Sequence, residues 1–282
     1  GASVKDAYAV RNVETILQNC LHSPSVVVVS AIGKTTNKLE KVFSTLVSDG
    51  FDIALDELNK IILAHQHIID DLSIELDLNE LFVTALKKAS HLNDLDAAYD
   101  VLVASGEDAS TKILFAYLDS KSWNVEWRDV REIIKTDARY NSARVDESRL
   151  EEMGLSLRVS LSESSRKVIV TQGFIGMCPL GTTTTLGREG SDYSAALLAC
   201  AIRADEVVIW KDVPGMLNAD PSIFEDTHTL EELDYSEALE LSYYGASVIH
   251  PRTVKPLKNL GISLIVRSFM DLNAKQTRVA SF

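Results

Sequence analysis

The residue types best suited to chemistry lie together in Thr182-Thr183-Thr184-Thr185-Leu186-Gly187-Arg188-Glu189-Gly190-Ser191-Asp192-Tyr193-Ser194-Ala195-Ala196. The stretch reads as a glycine-bearing loop that turns into a helix. Gly187 and Gly190 permit backbone angles that side-chained residues avoid. Ser191 is a good N-cap, and Tyr193 to Ala201, rich in Ala and Leu, continues as a buried helix. Such a helix start is an anion site, because unsatisfied N–H groups and the helix dipole point the same way. Arg188 and Asp192 add one fixed cation and one carboxylate. The pair suits a zwitterion, Arg forking onto a carboxylate and Asp accepting from an ammonium. A surface ion pair beside an ordinary helix cap accounts for the same two residues equally well.

A loop of this kind needs strands to hold it. Val26-Val27-Val28-Val29 is wholly apolar and β-branched, fitting a buried parallel strand. It ends in the polar Ser30-Ala31-Ile32-Gly33-Lys34-Thr35-Thr36-Asn37, where open α/β sheets place ligands. Val168-Ile169-Val170 leads through Gly173-Phe174-Ile175-Gly176 towards the central loop. Val207-Val208-Ile209-Trp210 ends in Lys211-Asp212-Val213-Pro214-Gly215-Met216, with a Pro-Gly turn, and Leu264-Ile265-Val266 is a further strand. Val101-Leu102-Val103-Ala104 is expected as another, followed by Ser105-Gly106-Glu107. Glu107 would there receive a substrate ammonium, or simply occupy the first turn of a following helix.

The rest of 37–120 reads as helical, with caps at Asp77 and Asn79 and a turn at Ser48-Asp49-Gly50. His65 and His67 sit two apart and face different ways on a helix, so solvent-facing positions are expected rather than metal ligation. Asp70-Asp71 reads as a solvated face, and Arg131 to Arg144 as a polar loop. Ser236 to Tyr244 reads as a helix ahead of Gly245-Ala246-Ser247-Val248-Ile249-His250-Pro251. The chain opens with a Gly1-Ala2-Ser3-Val4 loop feeding an amphipathic pattern marked by Val10, Val13, Leu17 and Leu21. Such loops normally follow a strand, so residues upstream are expected. Strands alternating with helices predict an α/β fold, its mostly parallel sheet covered on both faces and its polar loops sharing one cleft.

Bulk properties narrow the function classes. A formal charge of −13 argues against nucleic acid and anionic membranes, which need basic faces. Cys20, Cys178 and Cys200 show no C-x-x-C pairing, so neither a disulfide framework nor a zinc site is expected. No apolar run reaches the length of a membrane span, and a cytoplasmic chain is expected.

Taken in order, these motifs resemble the catalytic domain of the aspartate kinases, within the amino acid kinase fold. The series runs Ser30 to Asn37, Ser105-Gly106-Glu107, Gly173 to Gly176, Thr183 to Ala195, Asp212-Val213-Pro214-Gly215 and Gly245 to Pro251. The resemblance implies a three-layer α/β sandwich with two lobes around a cleft, about 1–160 for the amino acid and about 161–282 for the nucleotide. It implies ATP- and Mg²⁺-dependent phosphorylation of the L-aspartate side-chain carboxylate, towards lysine, threonine and methionine, in a homo-oligomer. Arg188 would hold the substrate α-carboxylate, with Glu107 and Asp192 facing its ammonium; Arg188 and Asp192 are the catalytic pair. Ser30, Thr36 and Ser191 would supply hydroxyls, and Phe174 would line the pocket. Gly1, Ala2, Ser3, Lys211, Asp212, Gly215, Leu217, Asp220, Ser247 and Val248 would contact the nucleotide. No protein metal ligand is assigned. His250 is given a structural role at the end of a helix.

Some positions depart from the family pattern. The family begins with a strand and a Lys-Phe-Gly-Gly motif whose Lys contacts phosphate; this chain starts at the second Gly, which reads as a truncation that would leave it poorly active. Ser247 stands where many relatives carry Lys, Leu217 replaces Tyr, Ser222 replaces Arg, and Glu189 takes a position often Gly. Lys211 is the nearest substitute cation. Relatives usually continue into ACT domains. A related amino acid kinase with another carboxylate substrate, and a catalytically silent regulatory subunit, are the alternatives.

Overall fold

A computed structural model of the chain describes residues 2–21, 23–164, 167–219, 223–244 and 248–281. Gly1, Asp220, Ser222 and Ser247, named above, lie outside the described residues. After a single turn at Ala2–Val4, Asp6 caps α1 (Ala7–Cys20) by accepting from the Ala9 N–H. The face marked by Val10, Val13 and Leu17 packs into the core. The β-branched run forms β1 (Ser25–Val29), followed by α2 (Thr35–Ser48), α3 (Phe51–Leu72), α4 (Asn79–His91) and α5 (Leu95–Ser120). Then come β2 (Val125–Trp127), α6 (Glu147–Ser162), β3 (Val168–Gln172), β4 (Ile175–Met177), β5 (Thr183–Thr185) and α7 (Gly190–Ile202). The chain closes with β6 (Glu206–Lys211), β7 (Glu232–Asp234), α8 (Tyr235–Tyr244), α9 (Pro251–Leu260), β8 (Ser263–Ser268) and β9 (Thr277–Ala280).

β1, β3 and β2 form a parallel sheet in the order β1-β3-β2. Every residue of β3 is buried, and its faces split: Val168 and Val170 pack with α1–α5, Ile169 with α6 and α7. Helices therefore cover both faces, as its apolar Val168-Ile169-Val170 run requires. The second sheet runs β6-β8-β9-β7, parallel except for the β8–β9 pair, and packs its own core against α7, α8 and α9. β4 and β5 make an antiparallel hairpin. Helix α7 touches both β1 and β6 and so joins the two sheets. Among the described residues no helix is long and apolar enough to cross a membrane.

Several expectations change. Val101–Ala104 is not a strand but lies inside the 26-residue α5, so Glu107 is at mid-helix rather than in a first turn. The cause is burial: Leu102, Val103 and Ala104 are almost wholly covered, and a helix enclosed on all sides loses its amphipathic period. Asp94 starts this helix, its Oδ1 accepting from the Asp96 and Ala97 N–H groups. His65 does not face solvent; it is 2% exposed, stacks edge-on against Phe82, and its Nδ1 meets the Ile61 carbonyl oxygen. His250 begins a helix rather than ending one: it caps α9, Nδ1 accepting from the Arg252 N–H, with Pro251 in the first turn.

Candidate active site

The carboxyl ends of β1, β3 and β6 open into one cavity of about 620 Å³. Parallel pairing makes this necessary: Val29 aligns with Gln172, so Ser30 and Phe174 emerge on the same side. From the first crossover come Ser30, Ala31, Gly33, Thr36 and Glu40; from α5, Tyr99 and Glu107. Phe174 follows β3, Thr185 ends β5, Gly187 to Asp192 form the central loop and first turn of α7, and Lys211 ends β6. Thus Ser30, Thr36, Glu107, Phe174, Arg188, Ser191 and Asp192, all assigned to the amino acid, line one space. Lys211, assigned to the nucleotide, borders the same space.

The other nucleotide assignments lie elsewhere. Ala2 and Ser3 sit in the opening turn, which packs beside β6. Asp212 and Gly215 follow β6, and the Gly215 turn is held by a Thr277 hydroxyl that accepts from the Met216 N–H at 2.8 Å. Leu217 bridges to Thr229, and Val248 packs against the core of the second sheet.

The central loop is fixed from several sides. Gly187 has φ +79, the left-handed region that its lack of Cβ allows. Gly190 is not in that region; its role is close approach, since a Cβ there would lie 2.6 Å from Phe174 Cδ2. Glu189, not Ser191, occupies the N-cap position of α7, with φ 53, and Ser191 belongs to the first turn. The Phe174 N–H donates to Ser194 Oγ at 2.9 Å, and that hydroxyl donates to the Gly190 carbonyl at 2.9 Å. From α9, Arg252 donates to the Leu186 carbonyl at 2.8 Å and lies 4.6 Å from the centre of the Tyr193 ring.

Charge is unevenly buried. Arg188 is exposed at the cavity, whereas Glu107 is 2% exposed. Glu107 Oε1 accepts from the Ala31 N–H at 3.2 Å, while Oε2 has no hydrogen-bond partner among the described residues. Burial pushes the Glu107 carboxyl up to about 8, outweighing the opposing hydrogen bond from Ala31. A buried acceptor left free on a cavity wall is suited to a cationic ligand. Asp192 does not pair with Arg188; its Oδ2 lies 2.7 Å from Lys211 Nζ.

Asp100, two helical turns before Glu107, is a residue that sequence reasoning passed over. It is wholly buried, and its carboxylate accepts from the Thr185 N–H and hydroxyl, each at 2.7 Å, and from the Asn141 N–H. It thereby ties β5 and the 141 loop, two walls of the cavity, to α5. Burial raises its pKa to about 6 against these hydrogen bonds, which lower it. Asp100 and Glu107, seven residues apart, fall on one helix face; reading 95–120 as a single helix would have exposed that signal.

Residues 1–268 match the amino acid kinase family. The chain is 39% identical over 200 residues to lysine-sensitive aspartokinase 3 of Escherichia coli (strain K12), an alignment covering 71% of this chain and 44% of that protein. It is 32% identical over its whole length to the aspartokinase of Chlamydia muridarum, covering 62% of it. The crystal structure of E. coli aspartokinase III in complex with aspartate and ADP superposes with a TM-score of 0.88 at 33% identity, covering 100% of this chain and 63% of that one. The chain spans less than two thirds of the length of these relatives. With the match extending over nearly all of its residues, the chain belongs to the amino acid kinase family.

Proposed function

We propose that this chain transfers the γ-phosphate of ATP to the side-chain carboxylate of L-aspartate, giving 4-phospho-L-aspartate and ADP. The observation that carries the reading is the convergence of Arg188 with Glu107 and Asp192 on one cavity, beside the hydroxyls of Ser30, Thr36 and Ser191. Arg188 takes the α-carboxylate, and the two acids take the α-ammonium. The Oε2 of Glu107, without a hydrogen-bond partner among the described residues, favours an unmodified ammonium over an N-acylated substrate, which would offer it no comparable charge. The similarity to an aspartokinase crystallised with aspartate and ADP supports the same choice.

The nucleophile is already ionised at neutral pH, so no general base is required. The work of the protein is positioning and the offsetting of negative charge. Among the described residues no group of three or more metal-ligating side chains forms. Mg²⁺, when bound, would reduce repulsion among the phosphates and be held mainly by their oxygens. In this reading the amino acid is held both by residues of about 1–160 and by the 174–192 segment beyond it, with Lys211, Asp212, Gly215, Leu217 and Val248 on the side of the nucleotide. The chain would act in the cytoplasm, as a homo-oligomer, early in the synthesis of lysine, threonine and methionine. The test is to incubate the protein with ATP, Mg²⁺ and aspartate and trap the acyl phosphate with hydroxylamine. Aspartate-dependent hydroxamate is expected; hydroxamate formed only with an N-acylated amino acid, or none at all, overturns the reading.

A further inference from the structure

The ion pair between Lys211 and Asp192 is placed where a structural role explains it poorly. It joins the end of β6 to the first turn of α7 inside the cavity, with side chains 25% and 17% exposed. Resting on the aspartate kinase reading above, we propose that Lys211 stands in for the substrate ammonium at Asp192, and that its displacement couples amino-acid binding to nucleotide binding.

Among the described residues the cavity wall carries Glu40, Glu107, Glu189 and Asp192 against Arg188 and Lys211. Asp192 left alone among these acids would be costly, and the Lys211 ammonium at 2.7 Å compensates it. An arriving α-ammonium needs the same carboxylate. Two ammonium groups on one carboxylate repel each other, and Lys211 is the one on a flexible four-carbon stem. It therefore swings away. Lys211 directly precedes Asp212 and the Pro214-Gly215 turn assigned to the nucleotide, so bound phosphates would offer it a new anionic partner. The same exchange runs in reverse: phosphates draw Lys211 off and leave Asp192 open to the ammonium. Linkage requires each ligand to tighten the other by one and the same factor. A ligand lacking the ammonium displaces nothing and gains nothing from the nucleotide.

Calorimetry decides this with the protein, ADP and Mg²⁺. Aspartate is expected to bind at least about fivefold tighter when ADP is present, and ADP tighter by the same factor when aspartate is present. Succinate, which keeps both carboxylates but has no ammonium, is expected to show the same affinity with and without ADP. In Lys211→Met, aspartate alone should bind at least as tightly as in the wild type, and the coupling to ADP should fall to within about twofold of none. Retained succinate binding shows that the variant site is folded, and the wild-type succinate comparison decides the question should the variant fail. Equal coupling for aspartate and succinate, unchanged coupling in Lys211→Met, or weaker aspartate binding in that variant overturns the proposal. Aspartate-dependent hydroxamate with any of these results leaves the kinase reading standing; absence of both aspartate binding and hydroxamate removes the two together.

Discussion

Replacing Asp100 by Asn tests whether a buried carboxylate is kept for the anchor it makes or for its charge. The side chain is 0% exposed, and burial raises its pKa from 3.8 to about 6. A raised folded-state value means that the folded protein holds the proton more tightly than the unfolded chain. The stabilisation from the protonated form is therefore complete below the unfolded pKa and is lost as pH rises through about 6. The interval from 3.8 to about 6, at about 1.36 kcal/mol per pH unit, corresponds to roughly 3 kcal/mol in all. Roughly half of this falls between pH 5 and 8.

Asn imitates the protonated acid. Its carbonyl oxygen can accept from the Thr185 and Asn141 N–H groups, and its NH₂ can donate to the Thr185 hydroxyl, which is able to reverse its role. The prediction is a double difference. By urea denaturation, the stability of Asp100→Asn relative to wild type should improve by about 1 kcal/mol on going from pH 5 to pH 8. Contributions from groups that titrate alike in both proteins cancel. A difference that stays flat with pH, or that turns against Asn at pH 8, would show that the hydrogen bonds from Thr185 and Asn141 outweigh burial, and the argument would fail.

Arg188→Ala should weaken aspartate binding by about 2–5 kcal/mol while changing ADP binding far less, because it leaves the substrate carboxylate unpaired; equal losses in calorimetry would reject the assignment. Glu107 must ionise to meet an ammonium, and burial holds its pKa near 8. Aspartate affinity should thus rise by up to about tenfold per pH unit below 8 and level off above it, a slope that Glu107→Gln should abolish; a flat wild-type profile would contradict it. Gly190→Ala places a Cβ 2.6 Å from Phe174 Cδ2 and 3.1 Å from its Cα. The clash should lower stability by about 1–3 kcal/mol in thermal unfolding and weaken aspartate binding; a variant matching wild type in both would show that the loop is not held as described.

What could be read in the sequence, and what could not, follows from the range of the forces involved. β3 and β8 announce themselves because a strand buried on both faces selects β-branched and other apolar residues at consecutive positions; β1 and β6, partly exposed at the edges of their sheets, carry the same kind of β-branched run. β2, β4, β5 and β7 have three residues each, too few for any period to show. Helix α5 imitates a strand at Val101–Ala104 for the same reason that β3 is recognisable: full enclosure removes the contrast between faces, and Gly106 then looks like a turn. The wall residues of the cavity were legible as polar loops after strands, whereas the pairing among their charges was not. Sequence proximity suggested Arg188 as the neighbour of Asp192, four residues away; the fold brings Lys211 to it from 19 residues away, because β6 ends beside the start of α7. Which charges neutralise each other is settled by topology, and a site proposed to receive a zwitterion and a polyphosphate would depend on that pairing more than on its composition. If Asp192 is the acid that receives the ammonium, the cation already seated on it changes what binding means there: in the proposed exchange each ligand trades places with Lys211 rather than filling an idle charge, so affinity for one carries information about the other.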